Sequence, residues 1–176
     1  QGTLELAKPD NVGAISGPVV IGNGADPAGS ATLKSLAINQ IGGNSTVQIN
    51  ASGKFDLNGF SQSVTSLSGV GTVSLPTPVS ELRIGNPTGT TATYDGIISG
   101  LGKVTKFDPG TQICTQNNPN NRKTLLLGGT LIINGQQSGD ALVDFGGSLS
   151  GTGKIGNATL CCEAKLLPGV TGVGGT

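Results

Sequence analysis

Short runs of apolar and β-branched residues follow one another along the chain, and within each run apolar and polar positions alternate. Such an alternation, with a period of two, places one face of a strand against a core and the other in solvent. Gly, Asn, Asp and Pro separate the runs, and Gly and Asn accept the positive φ of a tight corner. The first half of the chain alone predicts eight strands, over residues 3–6, 18–21, 32–38, 46–49, 54–57, 63–67, 72–75 and 81–84.

One seven-residue pattern occurs three times, as LSGVGTV at 67–73, ISGLGKV at 98–104 and LSGTGKI at 149–155. The pattern is typical of a turn that leads into a strand. Strand spacing by itself would also fit a sandwich or a barrel, whereas an internal repeat is typical of a stacked architecture. The sequence therefore predicts an all-β chain, folded as a single-domain parallel β-solenoid over residues 1–176.

Composition narrows the class of protein. The chain has 31 Gly in 176 residues and is 35% hydrophobic, which is more apolar than a disordered chain of low complexity. Its 10 basic and 10 acidic residues balance, so we expect no nucleic-acid partner. No window approaches eighteen consecutive apolar residues, so we expect no membrane-spanning segment. The first residue, Gln1, is not Met, and we expect a secreted chain from which any signal peptide is already absent.

The segment 53–73, GKFDLNGFSQSVTSLSGVGTV, resembles the passenger-associated repeats of bacterial autotransporters and related surface proteins. Shorter stretches at 2–6, 94–100, 129–135 and 166–169 are similar to the same family. The resemblance implies a β-helix that is right-handed. It also implies an extracellular location or one at the bacterial cell surface.

The repeat pattern lapses between residues 108 and 123, and we expect an irregular loop there. This segment holds Cys114, whereas the other two thiols, Cys161 and Cys162, are adjacent near the end of the chain. In an exported protein three cysteines leave one unpaired. A disulfide from Cys114 to Cys161 or to Cys162, a disulfide to another chain, and three free thiols all remain open. Three Cys without His make a poor zinc site, so we expect no metal and no cofactor.

Acidic residues are sparse and scattered. A polysaccharide-degrading β-helix enzyme needs clustered carboxylates in a groove lined by aromatic rings, and the chain has one Tyr, four Phe and no Trp. Asp140 and Asp144 are close in sequence, but carboxylates at such positions are more often solvated or part of a turn. We therefore expect no enzymatic activity, and keep a polysaccharide lyase or hydrolase as the weakest alternative.

The leading hypothesis is a structural, extracellular rod that assembles head to tail into a filament. Uncapped strand edges at both ends of a solenoid invite such pairing. One alternative is an adhesin module that binds a surface glycan through the loop at 108–123. Another is a pilin completed by a neighbour's strand, which the repeats oppose. The candidate assembly residues are Thr3, Leu4, Leu6, Leu160, Leu166 and Leu167.

Overall fold

The structure is a computed structural model that describes residues 2–118 and 123–169. The described residues contain no helix, and hence none long and apolar enough to cross a membrane. They form nineteen strands: β1 (Gly2–Leu6), β2 (Val19–Ile21), β3 (Ala31–Ser35), β4 (Thr46–Ile49), β5 (Gly53–Asp56), β6 (Ser61–Val64), β7 (Ser66–Gly69), β8 (Thr72–Leu75), β9 (Glu81–Ile84), β10 (Thr91–Tyr94), β11 (Ile97–Gly100), β12 (Lys103–Lys106), β13 (Thr111–Cys114), β14 (Thr124–Leu126), β15 (Thr130–Ile133), β16 (Ala141–Val143), β17 (Ser148–Gly151), β18 (Ala158–Leu160) and β19 (Lys165–Pro168).

The strands stack into three parallel sheets in about seven turns. Sheet I contains β1, β3, β5, β8 and β11, and sheet III contains β6, β9, β12, β14, β16 and β18. Sheet II runs from β2 through β4, β7, β10, β13, β15 and β17 to β19. This arrangement confirms the predicted parallel β-solenoid, while the right-handed coil stays a prediction.

The alternation seen in the sequence selects which side chains enter the interior. In β8, for example, Val73 and Leu75 are buried while Thr72 and Ser74 are half-exposed. Because register is preserved from turn to turn, inward side chains stack in columns. One such column runs through Leu33, Phe55, Val73 and Ile98. The interior is therefore a stack of apolar layers, each closed by the next turn.

The seven-residue pattern forms corners between sheets. It joins β7 to β8, joins β11 to β12, and follows β17. At the first corner the Ile49 carbonyl oxygen of the preceding turn accepts the N–H groups of Val70 and Gly71, at 2.8 and 2.9 Å. A Cβ on the first glycine would overlap a carbonyl oxygen of the preceding turn at all three corners. The φ angle of that glycine is 101° at Gly69, 110° at Gly100 and 123° at Gly151.

Most of the buried apolar residues in the described segments form two clusters. The N-terminal cluster comprises Leu6, Val19, Ile21, Leu33, Ile41, Val47, Ile49, Phe55, Leu57, Val64, Leu67, Val73, Leu75, Leu82, Ile84, Tyr94 and Ile98. The C-terminal cluster comprises Cys114, Leu126, Leu131, Ile133, Ala141, Val143 and Leu149. The buried polar residues between them include Lys106, Gln112 and Asn118. The apolar interior is thus interrupted near the middle of the rod.

Sheet I ends at the same place. Its last strand is β11, and the Ile98 N–H that would pair with a further strand donates instead to Asn118 Oδ1, at 2.7 Å. Beyond this point that side of the solenoid continues as isolated bridges, Asn118 to Gln137 and Gln136 to Lys154. Asn118 therefore satisfies a buried donor that would otherwise lack a partner.

Part of the segment predicted as an irregular loop is a strand, β13. Its inward positions hold Gln112 and Cys114, whereas the apolar Ile113 faces outward. This inversion hides the usual alternation. The Nε2 of Gln112 donates to the Leu67 carbonyl oxygen at 3.0 Å, reaching past the small side chain of Ala92, whereas its buried Oε1 has no partner among the described residues.

Candidate functional site: the thiols and the two ends

The structure does not bring Cys114 to the other two thiols. Cys114 ends β13 and lies in the C-terminal cluster, where burial, with a smaller contribution from Asp95, raises its pKa to about 12. Cys161 and Cys162 are exposed between β18 and β19. In sheet II, β13 is three steps from β19, or about 14 Å at about 4.8 Å per step. A disulfide spans at most about 7 Å between Cα atoms, so Cys114 is too far away to bond to Cys161 or Cys162 in this fold. A disulfide to another chain stays a prediction.

Cys161 and Cys162 lie side by side because they occupy a turn, not a strand. The Ala164 N–H donates to the Cys161 carbonyl oxygen at 3.0 Å, and the two central residues, Cys162 and Glu163, have φ of 49° and 64°. These values are typical of a type I′ turn. Neighbouring side chains of a strand point to opposite faces, but those of this turn do not. The two Sγ atoms are therefore only 2.6 Å apart.

An equivalent turn lies one step earlier along the rod and supports the first. It begins at Asp144, with a hydrogen bond of 2.9 Å from the Gly147 N–H to the Asp144 carbonyl oxygen. The Gly146 N–H donates across to the Cys162 carbonyl oxygen at 2.9 Å. This stacking places the Asp144 carboxylate beside the thiols, and its oxygen and both Sγ atoms lie within 4.8 Å of one another.

Two neighbouring groups change the acidity of the Cys162 thiol. Hydrogen bonding to Cys161, and next to Asp144, raises the pKa of Cys162 to about 12, because both contacts favour the protonated thiol. Sequence reasoning paired Asp144 with Asp140 and missed the thiols. The pairing register of β16 and β18 predicts the contact, because Val143 pairs with Leu160 and the residues that follow them are Asp144 and Cys161.

Asp140 and Asp144 hold turns. Asp140 Oδ1 accepts hydrogen bonds from the Asn157 N–H at 2.7 Å and from Asn157 Nδ2 at 3.1 Å. Asp144 Oδ1 accepts the Phe145 N–H at 2.8 Å. Each carboxylate thus fixes backbone at a corner of the solenoid.

The candidate assembly residues are placed differently from one another. Leu4, Leu160 and Leu166 are inward positions at the first and last turns, and they are 58%, 41% and 46% exposed. Leu6 is buried in the N-terminal cluster and offers little surface of its own, and its part in assembly stays a prediction. Thr3 is exposed on β1, and Leu167 is half-buried on β19.

A groove accompanies the exposed apolar residues at each end. The groove between β1, β2 and β3 has a volume of about 570 Å³ and is lined by Leu4, Val19 and Leu33 among others. The groove at the other end, about 180 Å³, is lined by Leu149 and Leu166 among others. Within the part of the chain that the structure describes, the two grooves therefore leave apolar interior side chains uncovered.

The loop assigned to glycan binding lies partly outside the described residues, at 119–122. Of the neighbouring described residues, Gln116 and Asn117 are exposed. Asn117 Oδ1 accepts the Gln136 N–H at 2.7 Å, which fixes the start of this loop to the rod.

Comparisons with known proteins point in one direction. No family model matches the chain, and no solved structure matches it significantly. The chain is similar to the adhesin BmaC autotransporter of Brucella suis biovar 1 (strain 1330), with 34% identity over 107 residues. This stretch covers 58% of the chain but only 3% of that protein. The similarity therefore relates this β-solenoid to a short part of an autotransporter adhesin.

Proposed function

We propose that the chain is a rod segment of an extracellular, adhesin-like surface protein, with a structural role. The observation that carries the proposal is sheet II, whose eight parallel strands run through the molecule without a break. Seven steps of about 4.8 Å give a length of about 34 Å. A stack of this kind separates whatever lies at its two ends, and the similarity to an autotransporter adhesin supports a place at the cell surface.

The proposed role requires no catalysis. The two carboxylates considered as catalytic candidates, Asp140 and Asp144, accept backbone hydrogen bonds at corners. The outer face of β7 and β8 carries short hydroxyl side chains, such as Ser66 and Thr72, which suit a packed or solvated surface. These features support a non-enzymatic protein.

We further propose that the rod stacks end to end with a second copy. Leu4 at one end and Leu160 and Leu166 at the other expose apolar surface that a further turn would cover. Sheet II presents the edge of β2 at one end and the edge of β19 at the other, so parallel pairing can continue across the junction. A contact between two different surfaces repeats without closing and generates a filament.

Lysine substitutions at the two ends test the stacking. We expect filaments of the purified chain in electron micrographs, and concentration-dependent growth in sedimentation velocity. Leu4→Lys and Leu166→Lys place a charge in the junction and should each give short particles that sediment as monomers. Val79→Lys is the matched control, because Val79 is 74% exposed on the connection before β9, away from both ends. Short monomeric particles of the unmodified chain at every concentration would overturn the proposal.

Surface-glycan binding by the loop at 108–123 is the second proposed function, and the exposed amide side chains of Gln116 and Asn117 support it. We expect a glycan array to show binding that is lost in the double variant Gln116→Ala/Asn117→Ala and kept in Gln48→Ala. Gln48 is an exposed glutamine on the outer face of β4, distant in sequence from the loop. Equal binding by both variants, or none by the unmodified chain, would exclude this segment as the binding site.

A further inference from the structure

We propose that Cys161 and Cys162 form a vicinal disulfide, a reversible covalent modification at the exposed turn between β18 and β19. The proposal goes beyond the structural role and rests on the geometry of this turn. The two Sγ atoms are 2.6 Å apart, and both side chains are exposed.

The separation of the sulfurs distinguishes a disulfide from a metal site. Two thiolates that bind one zinc ion at about 2.3 Å in tetrahedral geometry are about 3.8 Å apart. A disulfide bond is about 2.05 Å long. The observed 2.6 Å is much closer to the bond than to the metal-bound arrangement. The third neighbour, Asp144, completes a set of three groups that could hold a metal ion, but the two sulfurs would first have to move apart to about 3.8 Å.

The backbone holds the thiols in this arrangement. Left-handed φ values at non-glycine residues cost about 1–2 kcal/mol each, and both Cys162 and Glu163 adopt them. Neighbouring turns maintain this conformation, because the Cys161 N–H donates to the Val143 carbonyl oxygen at 2.9 Å. The Cys162 carbonyl oxygen, in turn, accepts the Gly146 N–H. Strain kept in place by the surrounding structure is typical of functional positions.

Exposure makes the reaction selective. An oxidant in solution reaches Cys161 and Cys162, whereas Cys114 is buried within the C-terminal cluster. An extracellular location supplies an environment in which disulfides persist. The third thiol therefore stays reduced in the folded chain when the other two react.

The reaction consumes one external disulfide, from a small molecule such as oxidised glutathione or from a thiol–disulfide oxidoreductase. The thiolate of one cysteine attacks that disulfide, forming a mixed disulfide and releasing one thiol. The second cysteine then attacks the mixed disulfide, the Sγ–Sγ bond forms, and a second thiol leaves. The two cysteines lose two electrons and two protons, which the external disulfide gains as it becomes two thiols.

Peptide mapping tests the proposal, because trypsin separates the thiols. Cleavage after Lys154 and Lys165 yields a peptide that contains Cys161 and Cys162, whereas Cys114 lies in the peptide 107–122. The full chain is treated with oxidised glutathione, alkylated in denaturant and digested. We expect the peptide 155–165 to be lighter by two hydrogen atoms and free of alkyl groups, and to take two alkyl groups after dithiothreitol. The Cys114 peptide should be alkylated in both samples.

Variants keep the proposal falsifiable. Cys161→Ser should leave Cys162 alkylated or bound to glutathione, whereas Cys114→Ala should leave the two-hydrogen loss unchanged. Two alkyl groups on the peptide 155–165 after oxidation, a cross-link to Cys114, or a disulfide-linked dimer through this peptide would each overturn the proposal. Protection of both thiols by zinc, in place of oxidation, would also overturn it and assign a metal site.

Asp144 provides a second readout. Replacing its carboxylate by an amide, in Asp144→Asn, keeps an acceptor for the Phe145 N–H but removes a charge that favours the protonated Cys162 thiol. The thiolate is the reactive form, so the disulfide should form faster, by roughly threefold for each unit by which the Cys162 pKa falls. Slower formation, together with weaker zinc binding, would identify Asp144 as a metal ligand and overturn the proposal.

Discussion

Lys106 is a charged residue in an apolar column. On β12 it points inward between Ile84 and Leu126, its partners in the neighbouring turns, and it is only 1% exposed. Its Nζ donates one hydrogen bond, to the backbone carbonyl oxygen of Asp108. Burial lowers the Lys106 pKa to about 8, and the nearby Asp108 carboxylate opposes this only in part. The residue therefore costs stability whenever it is protonated.

The pKa of Lys106 predicts a stability that rises with pH. The unfolded chain holds the lysine proton up to a pKa of about 10.5, and the folded chain releases it at about 8. Between these values the unfolded state binds more protons at this residue, so the contribution of Lys106 to the free energy of unfolding increases with pH, by on the order of 3 kcal/mol in total. Lys106→Met should be more stable than the unmodified chain at pH 7, and the difference should shrink towards pH 9.5 in urea titrations.

A control on the same strand isolates this effect. Lys103 faces outward, with its Nζ 3.4 Å from Glu81, so Lys103→Met should change stability by less than about 1 kcal/mol at either pH. Tyr94, Cys114 and Cys162 also have raised pKa values, but they are common to all three proteins and cancel in the comparison. A constant difference between Lys106→Met and the unmodified chain from pH 7 to 9.5 would contradict the prediction.

Corners are the elements that the repeated pattern encodes. Gly69 ends β7, where the chain passes over the Ile49 carbonyl oxygen, so Gly69→Ala introduces a Cβ that overlaps that oxygen. It also places Ala at φ 101°. We expect Gly69→Ala to lower the free energy of unfolding by about 3 kcal/mol, combining backbone strain with displacement of the preceding turn. Thermal unfolding followed by circular dichroism measures the loss.

Gly89 separates the two contributions. It also has a positive φ, 75°, but a Cβ there meets no atom within 4 Å. Gly89→Ala should therefore cost only the backbone term, about 1 kcal/mol. If both variants lost the same free energy of unfolding, the overlap with the preceding turn at Gly69 would contribute nothing to the loss.

Strand periodicity predicts the solenoid where inward residues are apolar, as in β8 and β9, and fails where they are polar. β13 was missed because Gln112 occupies an inward position and obtains its partner, the Leu67 carbonyl oxygen, from a residue 45 positions earlier. Such a compensation depends on the stacked register and leaves no local signal. The cluster of Asp144 with the thiols likewise depends on which turns are neighbours, so the cysteines were found from sequence and their acidic neighbour was not.

At the scale of the whole molecule, the rod has two unequal halves. Among residues 2–118 and 123–169, seventeen buried apolar residues form the N-terminal cluster and seven form the C-terminal cluster. Each turn of a solenoid contacts only its neighbours, so stability is a sum of local terms and of interfaces between turns. The polar residues between the clusters weaken one such interface. Opening of the C-terminal half alone should therefore require less free energy than opening of the whole rod.

Hydrogen exchange of two leucine variants tests this asymmetry. Leu126 and Leu75 are both completely buried, one in each cluster, and each change to Ala should cost about 2–5 kcal/mol. Leu126→Ala should accelerate amide exchange in β14 to β17 and leave β4 to β9 protected, because the larger cluster stands without the smaller one. Leu75→Ala should accelerate exchange in both halves, because the smaller cluster needs the larger one as a surface on which to stack. Uniform acceleration along the chain by Leu126→Ala would show instead that the polar layer at Lys106, Gln112 and Asn118 transmits cooperativity as well as an apolar layer does.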